Sequence, residues 1–173
     1  FALRNQKTAS EFLPRKLSDT VNAFAMQYFP VMTADETELI FTRRVGGRDN
    51  DDEDLVVCKK DSMGRWMPPV SLSPNINGPM NEGTCTISAD GRQLIFTSCM
   101  GRRGYGSCDL FESRKVGDEW TRPVNLGPEV NSPAWESQPS LSSDGRTLFF
   151  VSDRRGGIGN KDIYVSYKLE SGK

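Results

Sequence analysis

The sequence repeats itself at an interval of about 54 residues, and this repeat restricts the fold more than any other feature. The acid of a short polar turn occurs as Asp35, Asp90 and Asp144, which lie 55 and 54 residues apart. Other matching sets keep these intervals to within one residue: Asn22, Asn77 and Asn131; Trp66 and Trp120; Asp54, Asp109 and Asp162; Leu39–Phe41, Leu94–Phe96 and Leu148–Phe150. Such agreement indicates a protein built from similar structural units that stack on one another.

The clearest copy of the unit runs from Asn131 to Ser166 and has the pattern of a strand meander. A polar loop and a short strand come first, then a Ser-Asp-Gly turn and a strand of β-branched and aromatic residues. A Gly-rich loop leads to a third strand at Asp162–Ser166. An outer strand follows in complete units, and it contains proline, which an edge strand tolerates because it need not donate every N–H. The strands predicted in the middle unit are Thr84–Ser88, Gln93–Ser98, Asp109–Lys115 and Trp120–Leu126.

Four-stranded units that repeat about every fifty residues are typical of β-propeller blades, so the sequence predicts an all-β fold with about three blades. Helical repeats are excluded by the proline, glycine and β-branched residues of each unit. Propellers have four to eight blades, so three are too few to close a ring, and we expect further blades from the same protein or another chain. The predicted limits are a linker or the end of a preceding domain at 1–11, blades at 12–168 with repeats near 22–76, 77–130 and 131–168, and a tail at 169–173.

The first and last units are incomplete in this pattern. The segment Phe12–Leu17 matches the outer strands that begin at Trp66 and Trp120, whereas the third unit has no outer strand of its own. The pattern therefore starts on a fourth strand and stops on a third strand. Because the sequence starts with Phe1 rather than with Met, we expect that it has been processed or trimmed.

The composition argues against catalysis and against nucleic-acid binding. The 173 residues suit one domain and carry a net charge of −1, so no overall field attracts nucleic acid or an acidic membrane. Histidine is absent, which removes the commonest general base, and no Ser lies in a Gly-x-Ser-x-Gly turn. The sequence shows neither an apolar run long enough to span a bilayer nor a signal peptide. We therefore expect a protein that is not an enzyme and has no cofactor.

The four cysteines do not have the spacing of a zinc site, which without histidine would need all four thiolates. Two of them, Cys99 and Cys108, lie at the two ends of a loop that joins the second and third strands of one unit, so they face each other across a hairpin. Two interpretations remain open. They form a disulfide, which would indicate an oxidising compartment such as a periplasm, or they are two ordinary thiols beside a loop.

An acidic loop in the first unit is a weak match to a calcium site. Asp49, Asp51, Asp52 and Asp54 supply several oxygens from a flexible loop, as Ca²⁺ requires. The twelve-residue spacing and the closing Glu of an EF-hand are missing, so a solvated charged loop is the preferred interpretation.

The Gly-Arg loops of the second and third units lack the Lys-Ser/Thr of a phosphate-binding loop, and wide hairpin turns explain their glycines better.

A polar and aromatic face is predicted where the loops between second and third strands meet the starts of the first strands. Glu82 and Glu136 are equivalent there, and Gln27 holds their position in the first unit. In the preferred interpretation each acid pairs with a loop arginine or caps backbone donors. The alternative is a binding face, because Trp, Tyr and Arg dominate binding hot spots. The residues of that face are Glu82, Arg102, Arg103, Tyr105, Trp135, Glu136, Arg154 and Arg155. Trp66 and Trp120 recur with the repeat and are predicted to pack between blades.

The segment 139–164 resembles a known family of repeats. It reads Pro-Ser-Leu-Ser-Ser-Asp-Gly-Arg-Thr-Leu-Phe-Phe-Val-Ser-Asp, then a Gly-rich loop and Asp-Ile-Tyr, and it resembles the WD-repeat-like propeller repeat of the TolB type. The preceding pattern, Trp-x-x-Pro-x-x-Leu-x-x-x-Val-Asn-Ser followed by Glu, resembles the version in OmpA-family envelope proteins of the Bacteroidetes. The resemblance covers Phe12 to Lys168. The first unit departs from it, because its loop at 43–53 is longer and acidic.

The resemblance implies a non-catalytic scaffold that binds proteins in the cell envelope. The implied location is the periplasm, in association with the outer membrane, and the implied partners are envelope proteins, including those of the type IX secretion machinery. Peptidoglycan would be bound only through a separate domain, and no nucleic-acid partner is expected. Two alternatives stay open: a propeller that gates a larger peptidase, and a carbohydrate- or peptidoglycan-binding module with Trp135 as its exposed aromatic residue.

Overall fold

The computed structural model describes residues 13–46, 48, 52–100 and 102–169. In this part the chain forms twelve β-strands and no helix, so it contains no helix that is long and apolar enough to cross a membrane. The predicted linker at 1–11 and most of the predicted tail at 169–173 lie outside the described residues. The all-β prediction is confirmed.

The strands form three antiparallel sheets in chain order, as successive blades should. The first blade contains β1 (Met26–Met32), β2 (Glu38–Arg44), β3 (Glu53–Lys59) and β4 (Val70–Ser71). The second blade contains β5 (Asn81–Ile87), β6 (Gln93–Cys99), β7 (Cys108–Val116), β8 (Glu119–Trp120) and β9 (Val124–Asn125). The third blade contains β10 (Glu136–Leu141), β11 (Thr147–Ser152) and β12 (Asp162–Tyr167). Within each blade, consecutive strands pair with each other, except that β8 and β9 of the second blade both pair with β7.

The outer strand of each blade is shorter than the sequence predicts. The single strand expected at Trp120–Leu126 is two pieces of two residues each, β8 and β9. In the first blade the outer segment forms only the strand Val70–Ser71 and an isolated bridge between Lys60 and Trp66. Proline explains the break in the second blade, because Pro123 lies between β8 and β9 and has no N–H for the ladder. Residues 13–17, where the repeat predicts a matching strand, contain none, and Phe12 lies outside the described residues.

The turn between the first and second strands is the same in every blade. In the second blade the Asp90 carboxylate accepts hydrogen bonds from the Ser88 hydroxyl and from the Arg92 N–H, at 2.5 and 3.0 Å. These bonds favour the ionised form and lower the pKa of Asp90. Gly91 follows with φ of 69°, whereas Glu36 holds the equivalent place in the first blade with φ of 59°, in the region that favours glycine. The turn at Asp144 repeats the arrangement of Asp90.

Each first strand carries a bulge at the same place in the repeat. The pairing shifts between Tyr28 and Val31 in β1 and between Ser137 and Ser140 in β10. The equivalent shift in β5 comes directly after Gly83. A bulge bends its strand and increases the local twist, so the first strands of the three blades bend alike.

The core consists of layers in which one blade packs against the next. The layer between the first and second blades is built from Ile40, Leu55, Val57, Ile76, Leu94, Phe96, Phe111 and Trp120. The layer between the second and third blades is built from Ile95, Leu110, Val130, Leu148 and Phe150. In each layer one blade contributes a Leu and a Phe from its second strand, and the preceding blade contributes aliphatic residues. Trp120 is 4% exposed in its layer, which confirms the prediction that it packs between blades.

The far face of the third blade is apolar and uncovered. Ile163 is 77% exposed, whereas Leu55 and Leu110, which hold its position in the first two blades, are both 0% exposed. Phe149 is 46% exposed, and its counterpart Ile95 is 3% exposed. Among the described residues no strand of the first blade contacts a strand of the third. The three blades therefore form an open arc, and the prediction of an incomplete ring agrees with the structure.

Replacing Phe96 with Ala is expected to lower the free energy of unfolding by about 3–5 kcal/mol, because a fully buried ring is lost and a cavity remains. The matched control is Phe149→Ala, which removes the same side chain from the uncovered face and should cost less than about 1.5 kcal/mol. Urea unfolding followed by circular dichroism measures both values. Equal losses in the two variants would contradict the layered core.

Candidate functional site

The candidate site is the side of the arc that carries the loops between second and third strands. We call it the loop face and define it by the loops 100–107 and 153–161 together with the segment 132–135, which leads into β10. The segment lies between the two loops, as the repeat predicts. Loop 100–107 contacts it directly, because the Ser107 N–H donates to the Ala134 carbonyl at 3.1 Å. A Cβ atom on Gly106 would overlap that same carbonyl oxygen, so glycine is required for this close approach.

Glu136 lies under the loop face and is fully buried, at 0% exposure. Its carboxylate accepts hydrogen bonds from the Ser132 N–H at 2.9 Å, from the Ser132 hydroxyl at 2.6 Å and from the Ser152 hydroxyl at 2.7 Å. The guanidinium of Arg154 donates a further bond at 3.1 Å. The acid is therefore fully used in joining the start of β10, the end of β11 and the loop that follows it.

Glu82 holds the same position in the second blade and is 1% exposed. It accepts from the Gly78 N–H at 2.7 Å and from the Ser98 hydroxyl at 3.0 Å, and the Arg102 guanidinium lies 3.8 Å away. Burial raises the pKa of Glu82 above its ordinary value, although the Gly78 N–H and the Ser98 hydroxyl act in the opposite direction. In the first blade Gln27 replaces the acid and hydrogen bonds with Asn22.

The two arginines beside these acids are also part of the framework. The Arg154 guanidinium lies over the rings of Phe150 and Tyr164, at 5.4 and 4.8 Å from their centroids, and donates to the Val130 carbonyl. Arg102 repeats this arrangement in the second blade, over the rings of Phe96 and Phe111 and against the Ile76 carbonyl. The structure thus shows the pairing of each acid with a loop arginine. The two acids are buried, and the side chains of Arg102 and Arg154 are 23% and 22% exposed.

A disulfide joins Cys99 and Cys108 at the base of loop 100–107. The two residues form the last pair of the β6–β7 ladder, and their Cα atoms are 4.0 Å apart. The first blade has the Arg44–Glu53 ion pair at the equivalent position, at 2.5 Å, so both blades fasten the ends of this loop. Of the other two cysteines, Cys85 has a pKa raised to about 12 by burial, which keeps its thiol protonated.

The groups that remain exposed on the loop face are Arg103, Tyr105 and Arg155, with Tyr105 at 49% exposure. Two apolar side chains that the sequence analysis did not single out accompany them. Met100 is 80% exposed and Ile158 is fully exposed. Their position in glycine-containing loops was the available signal, because an apolar residue in such a loop has no sheet face to pack on.

Trp135 is half-buried and already has partners within the chain. Its backbone N–H donates to the Asp153 carboxylate at 2.8 Å, and the Lys161 ammonium lies 3.6 Å from the centre of its ring. Trp135 therefore connects both ends of loop 153–161 to the start of β10, through its backbone N–H at Asp153 and through its indole at Lys161. A partner would meet only the exposed part of its ring.

The acidic loop of the first blade is described only in part. Asp54 forms an ion pair with Arg43, which leaves its carboxylate less available to a metal ion. Burial, followed by the charge of Asp54, raises the pKa of Asp52. Asp49 and Asp51 lie outside the described residues, and the residues that are described contain no cluster suited to a metal ion. A solvated charged loop stays the preferred interpretation, with calcium binding as its weaker alternative.

Three stacked antiparallel sheets of three to five strands, with one loop-bearing side, define the chain as part of a β-propeller. It is similar to the crystal structure of TolB from Acinetobacter baumannii, with a TM-score of 0.51 and 15% sequence identity, and the match covers 86% of this chain and 31% of TolB. It is also similar to a puromycin-hydrolyzing peptidase of Mycobacterium tuberculosis, with a TM-score of 0.57 and 16% identity, covering 88% of this chain and 23% of the peptidase.

These likenesses show the fold, and the chain spans less than a third of the length of either protein. No protein-family model matches the chain, and no curated protein sequence matches it. The TolB-like propeller fold expected from the repeat is therefore supported at the level of structure rather than sequence.

Reducing the Cys99–Cys108 disulfide is expected to lower the free energy of unfolding by about 2 kcal/mol, because the unfolded chain regains the freedom of a short loop. The double variant Cys99→Ser/Cys108→Ser should show the same loss under oxidising conditions. Cys85→Ser, treated with and without reductant, is the control that keeps the disulfide. The prediction fails if thiol titration of the unfolded, oxidised protein finds four free cysteines.

Proposed function

We propose that this chain is a non-catalytic protein-interaction module of a periplasmic envelope protein. The observation that carries the proposal is the composition of the two exposed loops, which hold Met100, Arg103, Tyr105, Arg155 and Ile158 on one side of the arc. Within the described part of the chain, none of these five side chains has a hydrogen-bond or ion-pair partner. Tyr and Arg are enriched among binding hot spots, and Met is enriched at protein interfaces.

The framework beneath the loops supports this role because it reduces the conformational entropy that the loops lose when a partner binds. The disulfide fixes both ends of loop 100–107, and the buried Glu136–Arg154 pair fixes the start of loop 153–161. A loop whose ends are already ordered loses less conformational freedom when a partner binds. Loops that carry function are commonly held in this way on a rigid scaffold.

The periplasmic part of the proposal rests on the disulfide, since such bonds persist in oxidising compartments. The finer assignment rests on the resemblance of the repeat to that of OmpA-family envelope proteins. In that assignment the whole protein is associated with the outer membrane and peptidoglycan, binds peptidoglycan through a separate domain, and belongs to the type IX secretion machinery, as PorE does.

A second candidate function is a gating propeller attached to a peptidase. The likeness in fold to the puromycin-hydrolyzing peptidase favours it, at a TM-score of 0.57. The sequence contains no histidine, so the catalytic residues would have to belong to another domain. Peptidase activity of the intact protein, abolished by a serine-directed inhibitor, would select this candidate over the scaffold.

The triple variant Arg103→Ala/Tyr105→Ala/Arg155→Ala is expected to weaken binding of envelope proteins by at least about thirtyfold, the loss of one hot spot. The three side chains are exposed, so the fold should remain intact. The control variant Arg92→Ala/Arg146→Ala removes two cations from the short turns on the opposite side. Titrated capture from an envelope extract, quantified by mass spectrometry, gives the affinities. Unchanged capture by the triple variant together with lost capture by the control would reject the loop face.

A further inference from the structure

A small polar pocket lies beside the loop face, where the chain enters the second blade. Its volume is about 150 Å³, and Gly78, Met80, Glu82 and Arg102 are among the residues that line it. Arg102 belongs to loop 100–107, so the pocket adjoins the surface to which we assign partner binding. Sites for whole small-molecule ligands hold about 300–1,000 Å³, so this pocket suits a single side chain.

The pocket exists because the second blade has a glycine where the third blade has a serine. Gly78 and Ser132 hold the same position in the repeat. The Ser132 hydroxyl donates to the Glu136 carboxylate at 2.6 Å and accepts from the Ala134 N–H at 3.1 Å. Gly78 has no side chain, so the corresponding space beside Glu82 is open. The pocket is therefore the place of a hydroxyl group that the second blade does not supply.

The buried carboxylate of Glu82 has acceptor capacity that the fold does not use. It accepts two hydrogen bonds, from the Gly78 N–H and the Ser98 hydroxyl, whereas the carboxylate of Glu136 accepts four. A carboxylate offers about four acceptor positions, so Glu82 can receive further donors. A hydrogen bond to a carboxylate that is 1% exposed is strengthened by its apolar surroundings.

Two donors line the same pocket. The Nε atom of Arg102 is buried and has no hydrogen-bond partner in the described part of the chain, whereas Nε of Arg154 donates to the Ser152 hydroxyl at 3.0 Å. The Met80 N–H holds the place of the Ala134 N–H and makes no hydrogen bond with the described residues. An acceptor in the pocket would therefore find donors beside it.

The combination of an acceptor and two donors selects a hydroxyl group. A hydroxyl donates one hydrogen bond and accepts others through the same oxygen, as the Ser132 hydroxyl does in the third blade. A cationic group would meet the guanidinium of Arg102, and an anionic group would meet the carboxylate of Glu82, so both are disfavoured by like charge.

We propose that this pocket binds the hydroxyl of a Ser or Thr side chain in the protein partner of the loop face. The hydroxyl donates to Glu82 and accepts from the Met80 N–H and from Nε of Arg102. The identity of the partner as a protein rests on the proposed function, and the volume agrees with it, because a whole sugar ring belongs to the larger class of ligand sites. The exposed residues of loop 100–107 would then surround the inserted side chain as the rim of the interface.

The direct probe is N-acetyl-L-serine N-methylamide, with the alanine analogue as the matched control that lacks only the hydroxyl. Nuclear magnetic resonance of the isotope-labelled, oxidised chain follows the amides of Gly78 and Met80 and the Nε–H of Arg102. The serine probe should shift these signals saturably with a midpoint on the order of 10 mM, near the limit for so small a group. The alanine analogue should bind at least about tenfold more weakly.

Two substitutions exchange the pockets of the blades. Gly78→Ser supplies the hydroxyl from the chain itself and should weaken probe binding at least about tenfold. The fold should tolerate it, because a Cβ atom at position 78 would lie 3.5 Å from the nearest atom of Glu82 and Gly78 has no positive φ. Ser132→Gly should open a second site, seen as shifts of the Ala134 amide. Arg155→Ala should leave probe binding unchanged. If Gly78→Ser does not fold, Ser132→Gly and the alanine analogue decide the result.

The proposal is overturned if the serine probe gives no saturable shift up to about 100 mM, or if both probes shift the signals equally. It is also overturned if folded Gly78→Ser binds the probe as before, or if methyl β-glucoside binds these amides more tightly than the serine probe, since the ligand would then be a carbohydrate.

The proposed function is tested by different residues, because Arg103, Tyr105 and Arg155 do not line the pocket. In capture from the envelope extract, Gly78→Ser should weaken binding of the same proteins at least about tenfold. Unchanged capture by Gly78→Ser together with lost capture by the triple variant rejects the pocket alone. Saturable binding of the serine probe together with unchanged capture by the triple variant rejects the loop face alone.

Discussion

The packing of one blade's aromatic face against the aliphatic face of the blade before it holds this structure together. Phe96 and Phe111 of the second blade meet Leu55 and Val57 of the first, and none of these side chains is more than 4% exposed. The same arrangement recurs in the next layer. Each blade therefore depends on a neighbour for part of its core, as in other repeat proteins, and the blade at the end of the arc keeps an apolar face uncovered.

This dependence also positions the surfaces that partners can reach. Because the blades stack with their strands aligned, the loops between second and third strands all emerge on one side, where Glu82 and Glu136 anchor them from beneath. The charged residues of the site divide into two sets. Arg102 and Arg154 form ion pairs with the buried acids, whereas Arg103 is exposed.

The sequence was sufficient to predict the fold and the neighbours of each loop. Each repeat unit contains the same succession of strands, so the strand order follows from the repeat. It could not assign the roles of the arginines. Arg102 and Arg103 are adjacent and chemically identical, and only the position of a buried Glu82 decides which one points inward. The shortened outer strands were also missed, since Pro123 signals an edge without telling how much of the edge pairs.

The most direct test of this account is hydrogen exchange of individual backbone amides in the native, oxidised chain. The outward N–H groups of Val165 and Tyr167 should exchange on the order of 100-fold faster than those of Glu112 and Arg114. The latter two hold the same positions in the second blade and pair with its outer segment at Val124 and Thr121. This result would show that the third blade ends in an open edge. Equal protection at the two sets of amides would contradict the account, because it would mean that the edge of β12 is already covered.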